Sequence, residues 1–328
     1  MSKIYNSCIS GLGAYLPEKV LTNFDLEKMV ETTDEWIRTR TGIHERHIAA
    51  PSQCASDLGQ FAAQQAIKNA GLTPQDIELV LCATITPDMF FPSTACGIQN
   101  KIGANCGAFD LAAACSGFIY ALATADAYVK SGLHKHVLVV GSEVISKFID
   151  WKDRSTCVLF GDGAGAAVVS RANDGHGVLH TYLGSDGAQS ECLKIPAGGS
   201  MIPPSAESVR DGLHYLKMQG SEVFKVAVRT MDLAVHEVLN RQGLQVSDIA
   251  CLIPHQANMR ILKAVGERIG LPQEKIFVNV HRYGNMSSAS KVVALHEAVA
   301  EGKVKQGDYV VLVAFGGGLT WGSALIRW

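Results

Sequence analysis

The chain has 328 residues, 47% hydrophobic and 18% charged, with a formal net charge of −2. This supports a large core, as one big domain or two intimate ones, and the near-neutral charge points away from nucleic acid. No apolar run reaches the ~18 residues of a membrane span, and Met1-Ser-Lys-Ile4 carries no signal-peptide pattern. The nine cysteines are odd in number, irregularly spaced and without a C-x-x-C pair, so neither a disulfide framework nor a zinc site is indicated. A reducing cytoplasm is the default.

In chain order, Trp36 with Arg38, Arg40 and Arg46 combines an aromatic face with cations. An adenine ring and phosphates would fit there, and so would a plain solvated helix end. An amphipathic helix over about 56–69 then leads through Gly71-Leu72 into a buried-type strand. A Gly-Leu just past a helix is a C-cap signal.

Next comes Asp110-Leu-Ala-Ala-Ala-Cys-Ser-Gly-Phe118, directly before a helical pattern from about Gly117 to Lys130. A thiol at a helix N-terminus is favoured as thiolate by free N–H groups and the positive dipole end. Most cysteines are small buried hydrophobes, but Cys115 among small neighbours reads as a nucleophile open to a substrate. Gly161-Asp-Gly-Ala-Gly165 is followed by a strand pattern rather than a helix, which excludes a dinucleotide fingerprint.

The second half repeats the first. Gly71, Leu72, Asp76 and Ile77 return as Gly243, Leu244, Asp248 and Ile249, 172 positions on, after a second amphipathic helix over about 222–241. His136-Val-Leu-Val-Val140 returns as Tyr309-Val-Val-Leu-Val313, and Phe160-Gly-Asp-Gly163 as Phe315-Gly-Gly-Gly318. The last offset is 155, so about 17 extra residues fall within roughly 141–159 of the first half. Three echoes in one order indicate an internal duplication. Alternating strands and helices indicate α/β sheets, with ligands at the crevice where the two sets of strand ends meet. Ala172–Gly177 is the expected joint, dividing the chain into 1–173 and 174–328, and 186–215 reads as loop.

His255, in Pro254-His-Gln-Ala-Asn258, lies just past the second half's repeated strand, where a polar run is poor core material. Asn285 lies at a turn before a helix, where an Asx turn and cap is the plain alternative. The repeat brings it into the site, because Cys115 maps onto Ser287. Gly316-Gly-Gly318 is either a hairpin turn or a place where backbone N–H groups approach a ligand.

Together with Thr32-Thr-Asp-Glu-Trp-Ile37, Arg40-Thr-Gly-Ile43 and Phe91-Pro-Ser93, these segments make the whole chain resemble the β-ketoacyl-acyl carrier protein synthase III family of the thiolase superfamily. The resemblance implies a duplicated αβαβα five-layer thiolase-like fold and a homodimer. It also implies condensation of an acyl-CoA primer (acetyl-CoA first) with malonyl-acyl carrier protein. The products would be a 3-oxoacyl-acyl carrier protein, CoA and CO2, starting type II fatty-acid synthesis with no cofactor, metal or membrane.

By the family's motifs, Cys115 is the acylated nucleophile, and His255 and Asn285 hold the malonyl thioester carbonyl. The N–H groups of Cys115 and Gly317 form the oxyanion hole. Trp36 and Arg154 match positions that sandwich the CoA adenine. Arg40 and Thr41 match positions near the nucleotide, and Asn258 one in the pantetheine tunnel. Phe91 matches a residue that closes the partner subunit's acyl pocket. Lys225 and Arg260 match basic positions that meet the carrier protein. The chain departs from the family pattern at Met286 (usually Thr), at Lys291-Val292 (usually an apolar residue and Pro) and at Glu267-Arg268 (commonly a basic pair). Three alternatives stay open at this point: a related enzyme of a quinolone or polyketide pathway, a cysteine hydrolase using His255 as general base, and an inactive binding protein.

Overall fold

Two sheets of the same plan frame the chain in the computed structural model, which describes residues 5–172 and 175–328. The first half contains β1 (Asn6–Tyr15), α1 (Asp34–Thr41), α2 (Ala55–Asn69), β2 (Leu79–Ala83), α3 (Thr94–Ile102), β3 (Gly107–Leu111), α4 (Gly117–Lys130), β4 (His136–Glu143) and β5 (Gly163–Ala172). The second contains β6 (Gly177–Ser185), α5 (Gly220–Asn240), β7 (Ile249–Pro254), α6 (Met259–Ile269), α7 (Ala289–Ala300), β8 (Tyr309–Gly316) and β9 (Thr320–Arg327).

The sheet orders are β1-β5-β4-β2-β3 and β7-β8-β9-β6. In each, the central strands pair in parallel and the next pair is antiparallel. The counterpart of β3 in the second sheet is reduced to one parallel bridge, Leu252 to Ile276. Every residue of β2 is buried. That is why it reads as a continuous apolar run rather than an alternating one.

Helices α4 and α7 lie between the sheets. Phe118, Ile119 and Leu122 of α4 and Val292 and Leu295 of α7 share one buried cluster with Leu81 and Val139 of one sheet and Ile253 and Leu312 of the other. Helices α2 and α3 cover the outer face of the first sheet, and α5 and α6 that of the second. The layers therefore run helix, sheet, helix, sheet, helix, the thiolase-like duplicated α/β fold.

The repeated Gly-Leu motif is a repeated helix end. Gly71 and Gly243 have φ of +69° and +66°. Their N–H groups donate to Lys68 O and Asn240 O, while Leu72 and Leu244 reach back to Ile67 O and Leu239 O, all at 3.0–3.2 Å. This is the Schellman closure. Asp76 and Asp248 then accept from the Thr73 and Gln245 backbone N–H groups at 2.8 and 2.7 Å, which turns the chain into β2 and β7.

The extra length of the first half lies between β4 and β5, at 144–162 against 317–319 in the second. The boundary at 173/174 lies outside the described residues. Segment 186–215, read as loop, carries a short 3-10 stretch, Gly187–Cys192, and a helical turn, Ala206–Arg210, fixed by reciprocal Ser205 and Ser208 caps. Among the described residues no helix is long and apolar enough to cross a membrane.

Helix α2 sits on β1 through glycines. A Cβ at Gly13 would lie 2.1 Å from Ala62 O. Gly13→Ala is expected to cost about 1–3 kcal/mol, read by urea unfolding. Gly187→Ala, where nothing among the described residues would lie within 4 Å of the added Cβ, should unfold like the parent.

Candidate active site

Cys115 sits on the tight turn between β3 and α4. Ala114, just before it, has φ of +45°, as does Ser287 before α7. A non-glycine residue in this region costs about 1–2 kcal/mol, so the surroundings must hold both turns. The two inner helices start side by side, for a Cβ at Gly117 would lie 3.8 Å from Ser288 Cβ.

Thr320 Oγ1 donates to Ala113 O at 2.9 Å, and Ser116 Oγ to Thr320 O at 3.0 Å. Lys291 Nζ donates to Cys115 O and, at 3.0 Å, to Ser287 O. The end of β8 packs against Cys115, since a Cβ at Gly316 would lie 2.6 Å from Cys115 N. The glycine turn joins β8 to β9, as the hairpin reading had it, and its Gly317 lines the cavity that Cys115 also lines.

His255 leaves the carboxyl end of β7, its N–H donating to Val313 O at 2.8 Å and so extending the pairing with β8. Gln256 locks this corner, donating to Pro254 O and Phe277 O and accepting from the N–H groups of Asn279 and Val280. The His255 ring is buried, and its Nδ1 has no hydrogen-bond partner among the described residues.

Asn285 follows Gly284, whose φ is +64°. Its N–H donates to Leu159 O at 2.8 Å and its carbonyl accepts from Gly161 N–H at 3.1 Å. Its side-chain Oδ1 accepts from Ser287 N–H at 2.8 Å. This is an Asx turn, and it leaves the Nδ2 donor end of the carboxamide unengaged by that bond.

Cys115, His255, Asn285 and Gly317 line one cavity of about 910 Å³, together with Arg40, Thr41, Asn258, Lys225 and Arg260. Leu193, Leu216, Met218, Phe224 and Ile261 give it apolar walls. Asn258 also caps α6, accepting from Ile261 N–H at 3.0 Å. Trp36 and Arg154 stand outside these walls, beside Arg40. The Arg40 and Arg154 guanidinium carbons lie 5.0 and 5.1 Å from the Trp36 ring centroid. Phe91 is 81% exposed and is absent from the cavity lining of its own chain.

Two expectations need correction. Arg46 does not join Trp36, Arg38 and Arg40 on a cationic surface. It is fully buried, donating to Leu21 O, Asn23 Oδ1 and Val158 O. The helix N-terminus does not by itself settle Cys115 as thiolate either. Burial pushes the thiol up, Lys291 and the Ser287 hydroxyl pull it back, and Glu143 opposes them. Burial, with Lys291 adding to it, holds His255 far below the ordinary histidine range.

Sequence reasoning missed Glu143 and registered Lys291 only as a departure. Glu143 is buried and accepts from Thr86 Oγ1 at 2.7 Å and Ser288 Oγ at 2.8 Å. The available signal was a lysine directly before the apolar run Val292-Val-Ala-Leu295. The other departures are structural: Met286 is buried beside Tyr283 and Val293, and Arg268 is tied to Asp232 at 2.9 Å.

The layered duplication, with one cysteine on the turn before an inner helix, defines a thiolase-fold condensing enzyme. Family models described as 3-oxoacyl-[acyl-carrier-protein] synthase III and its C-terminal part match residues 109–187 and 239–328. A beta-ketoacyl-[acyl-carrier-protein] synthase III of Caldanaerobacter subterraneus subsp. tengcongensis is 56% identical over 98% of this chain and 97% of that protein. The crystal structure of 3-oxoacyl-[acyl-carrier-protein] synthase III from Aquifex aeolicus VF5 superposes with a TM-score of 0.92 at 49% identity, covering 98% of this chain and 100% of the other. The priming β-ketosynthase of the R1128 polyketide pathway superposes with a TM-score of 0.92 at 37% identity, covering 99% and 97%. The chain belongs to the β-ketoacyl-acyl carrier protein synthase III family.

The close approach of Gly316 generates a test. Gly316→Ala is expected to displace the Cys115 turn and slow acylation from acyl-CoA about 10²-fold, the usual cost of a misplacement near 1 Å. Intact-mass kinetics of Cys115 acylation measure it, with circular dichroism unchanged.

Proposed function

We propose that the protein condenses an acyl-CoA primer, acetyl-CoA first, with malonyl-acyl carrier protein and so starts fatty-acid synthesis. The observation that carries this reading is one cavity walled by a cysteine, an imidazole and a carboxamide of fixed orientation. The Cys115 thiolate attacks the acyl-CoA carbonyl, the tetrahedral oxyanion is held by the N–H groups of Cys115 and Gly317, and CoA leaves as thiolate. The malonyl thioester then binds. Its carbon–carboxylate bond breaks, CO2 leaves, and the electron pair moves onto the thioester oxygen as an enolate. The enolate carbon attacks the acyl-Cys115 carbonyl, and Cys115 departs as thiolate.

The enolate needs donors rather than a base. A neutral imidazole carries one N–H. The buried Nδ1 has no acceptor among the described residues, so the proton belongs on Nε2. Asn285 supplies the second donor through Nδ2, because Oδ1 is already engaged by Ser287. The two-donor geometry favours condensation over hydrolysis.

The apolar walls suit the acyl chain and pantetheine arm. Arg40 and Thr41 near the cavity mouth suit the nucleotide. Insertion of adenine between Trp36 and Arg154 needs about 7 Å for contact on both faces, so Arg154 must swing off the ring and release Glu31 O, now at 3.0 Å. Lys225 and Arg260 offer positive charge to an acidic carrier protein, although Lys225 is partly engaged by Glu222 at 2.9 Å.

A homodimer is part of this reading. Strand β3 is a sheet edge, and Phe90, Phe91 and Phe109 are exposed. Asp110 on β3 caps the Thr94 and Ala95 N–H groups of α3 at 2.7 Å, which holds the phenylalanines close to that edge. Phe91 then enters the cavity of the partner subunit. The likeness to the R1128 enzyme favours, as a second reading, the same chemistry priming a polyketide. Acetoacetyl product from acetyl-CoA and malonyl-acyl carrier protein supports the first reading. Use of malonyl-CoA with the carrier-bound form ignored would overturn it.

His255→Ala and Asn285→Ala are each expected to lower condensation about 10²–10³-fold. Cys115 acylation, followed separately by mass spectrometry, should fall far less. The depressed His255 keeps its ring neutral down to pH values well under the ordinary histidine pKa. Malonyl decarboxylation by a Cys115→Ala variant should therefore show no inflection around pH 6.5. A histidine-like inflection there would mean the ring is solvated.

A further inference from the structure

Lys291 lies on the inner face of α7, four residues after Ser287, and is fully buried. Val292, Val293, Ala294 and Leu295 beside it are equally buried and apolar. An ammonium in such a place is costly unless paired. Two of its N–H groups are spent on the carbonyls of Cys115 and Ser287. Those two residues occupy corresponding turns of the duplicated halves, each at a left-handed backbone position or directly after one. One side chain thus bridges the two strained turns across the approximate twofold axis.

The titratable groups that face it are Cys115 on the turn before α4, Glu143 at the end of β4 and His255 after β7. Burial lowers Lys291 to about 8, with Cys115 and Glu143 acting against that. A charged Cys115 or Glu143 thus favours the ammonium form of Lys291. Glu143, the carboxylate that acts on it, is engaged by the Thr86 and Ser288 hydroxyls and the Ile85 N–H.

We propose that Lys291 is a positioning residue for the nucleophile, its ammonium tying the Cys115 turn to the Ser287 turn and supplying the fixed positive charge against which the Cys115 thiolate forms. The thiol proton passes to bulk water, and Lys291 keeps its own. The same charge opposes a proton on His255, so one cation serves two needs of the site: an anionic sulfur and a neutral imidazole. This rests on Cys115 being the nucleophile of the proposed reaction.

The test uses the full-length protein without substrate. Cys115 alkylation by iodoacetamide is followed by mass spectrometry across pH. Lys291→Met is expected to raise the pH midpoint and slow alkylation at pH 7 by about tenfold, one pH unit of thiolate supply. The rates should converge in alkali, and Lys291→Arg should restore most of the difference. Equal midpoints for the parent and Lys291→Met overturn the proposal and leave Lys291 as a filler of space. Should Lys291→Met fail to fold, the double variant Glu143→Gln/Lys291→Met removes both buried charges. Its midpoint is expected above the parent's, and a midpoint at or below it overturns the proposal. Because no acyl-CoA or malonyl compound is present, a protein that alkylates as expected yet condenses nothing would sink the proposed function alone.

Discussion

The structure turns on two helices that begin side by side in the middle of the molecule. Helices α4 and α7 are sandwiched between sheets, so their N-termini cannot be solvated in the ordinary way. Each is entered by a turn with a left-handed residue, Ala114 or Ser287, and those turns must be held by neighbours. Lys291, Thr320 and the glycines after β8 do the holding. Tight packing of the inner layer therefore fixes the sulfur, rather than any feature of the cysteine itself.

The other two polar groups are fixed by the same frame. His255 is placed because the β7–β8 pairing runs one residue past the end of β7. Asn285 is placed by backbone bonds to Leu159 and Gly161, within or beside the long β4–β5 connection of the opposite half. Its amide orientation is set before any ligand arrives, by a bond to Ser287. Donors held this way need little reorganisation as charge develops on a substrate oxygen. Site and fold are one construction here: no half of the chain contains all of it.

Much of this was legible in the sequence because duplication is a pattern that one chain can display. Gly71-Leu72 and Gly243-Leu244 announced two like helix ends, and those ends led to the two strands that anchor the crevice. Cys115, His255 and Asn285 stood out because small or polar residues at strand ends and helix starts are unusual core material. Buried charges were another matter. Arg46 looked solvated since its acceptors lie far off in the chain, Leu21 O and Asn23 Oδ1 by 25 and 23 residues and Val158 O by 112. Lys291 falls in a helix, where a single lysine normally marks the wet face, and only packing shows that this face is dry. The Arg154 stack on Trp36 likewise depends on a loop conformation that spacing does not encode.

The unequal connections between the last two strands of each half have a further consequence. A perfectly twofold frame would present a long, flexible acyl-pantetheine chain with two equivalent directions of entry. Residues 144–162 give Ile145, Ser155, Leu159 and Phe160 to the cavity lining, while 317–319 give Gly317. The pseudosymmetry is broken where it matters. A duplicated scaffold thereby encloses a lopsided cavity, its asymmetry set in part by the unequal lengths of two corresponding loops.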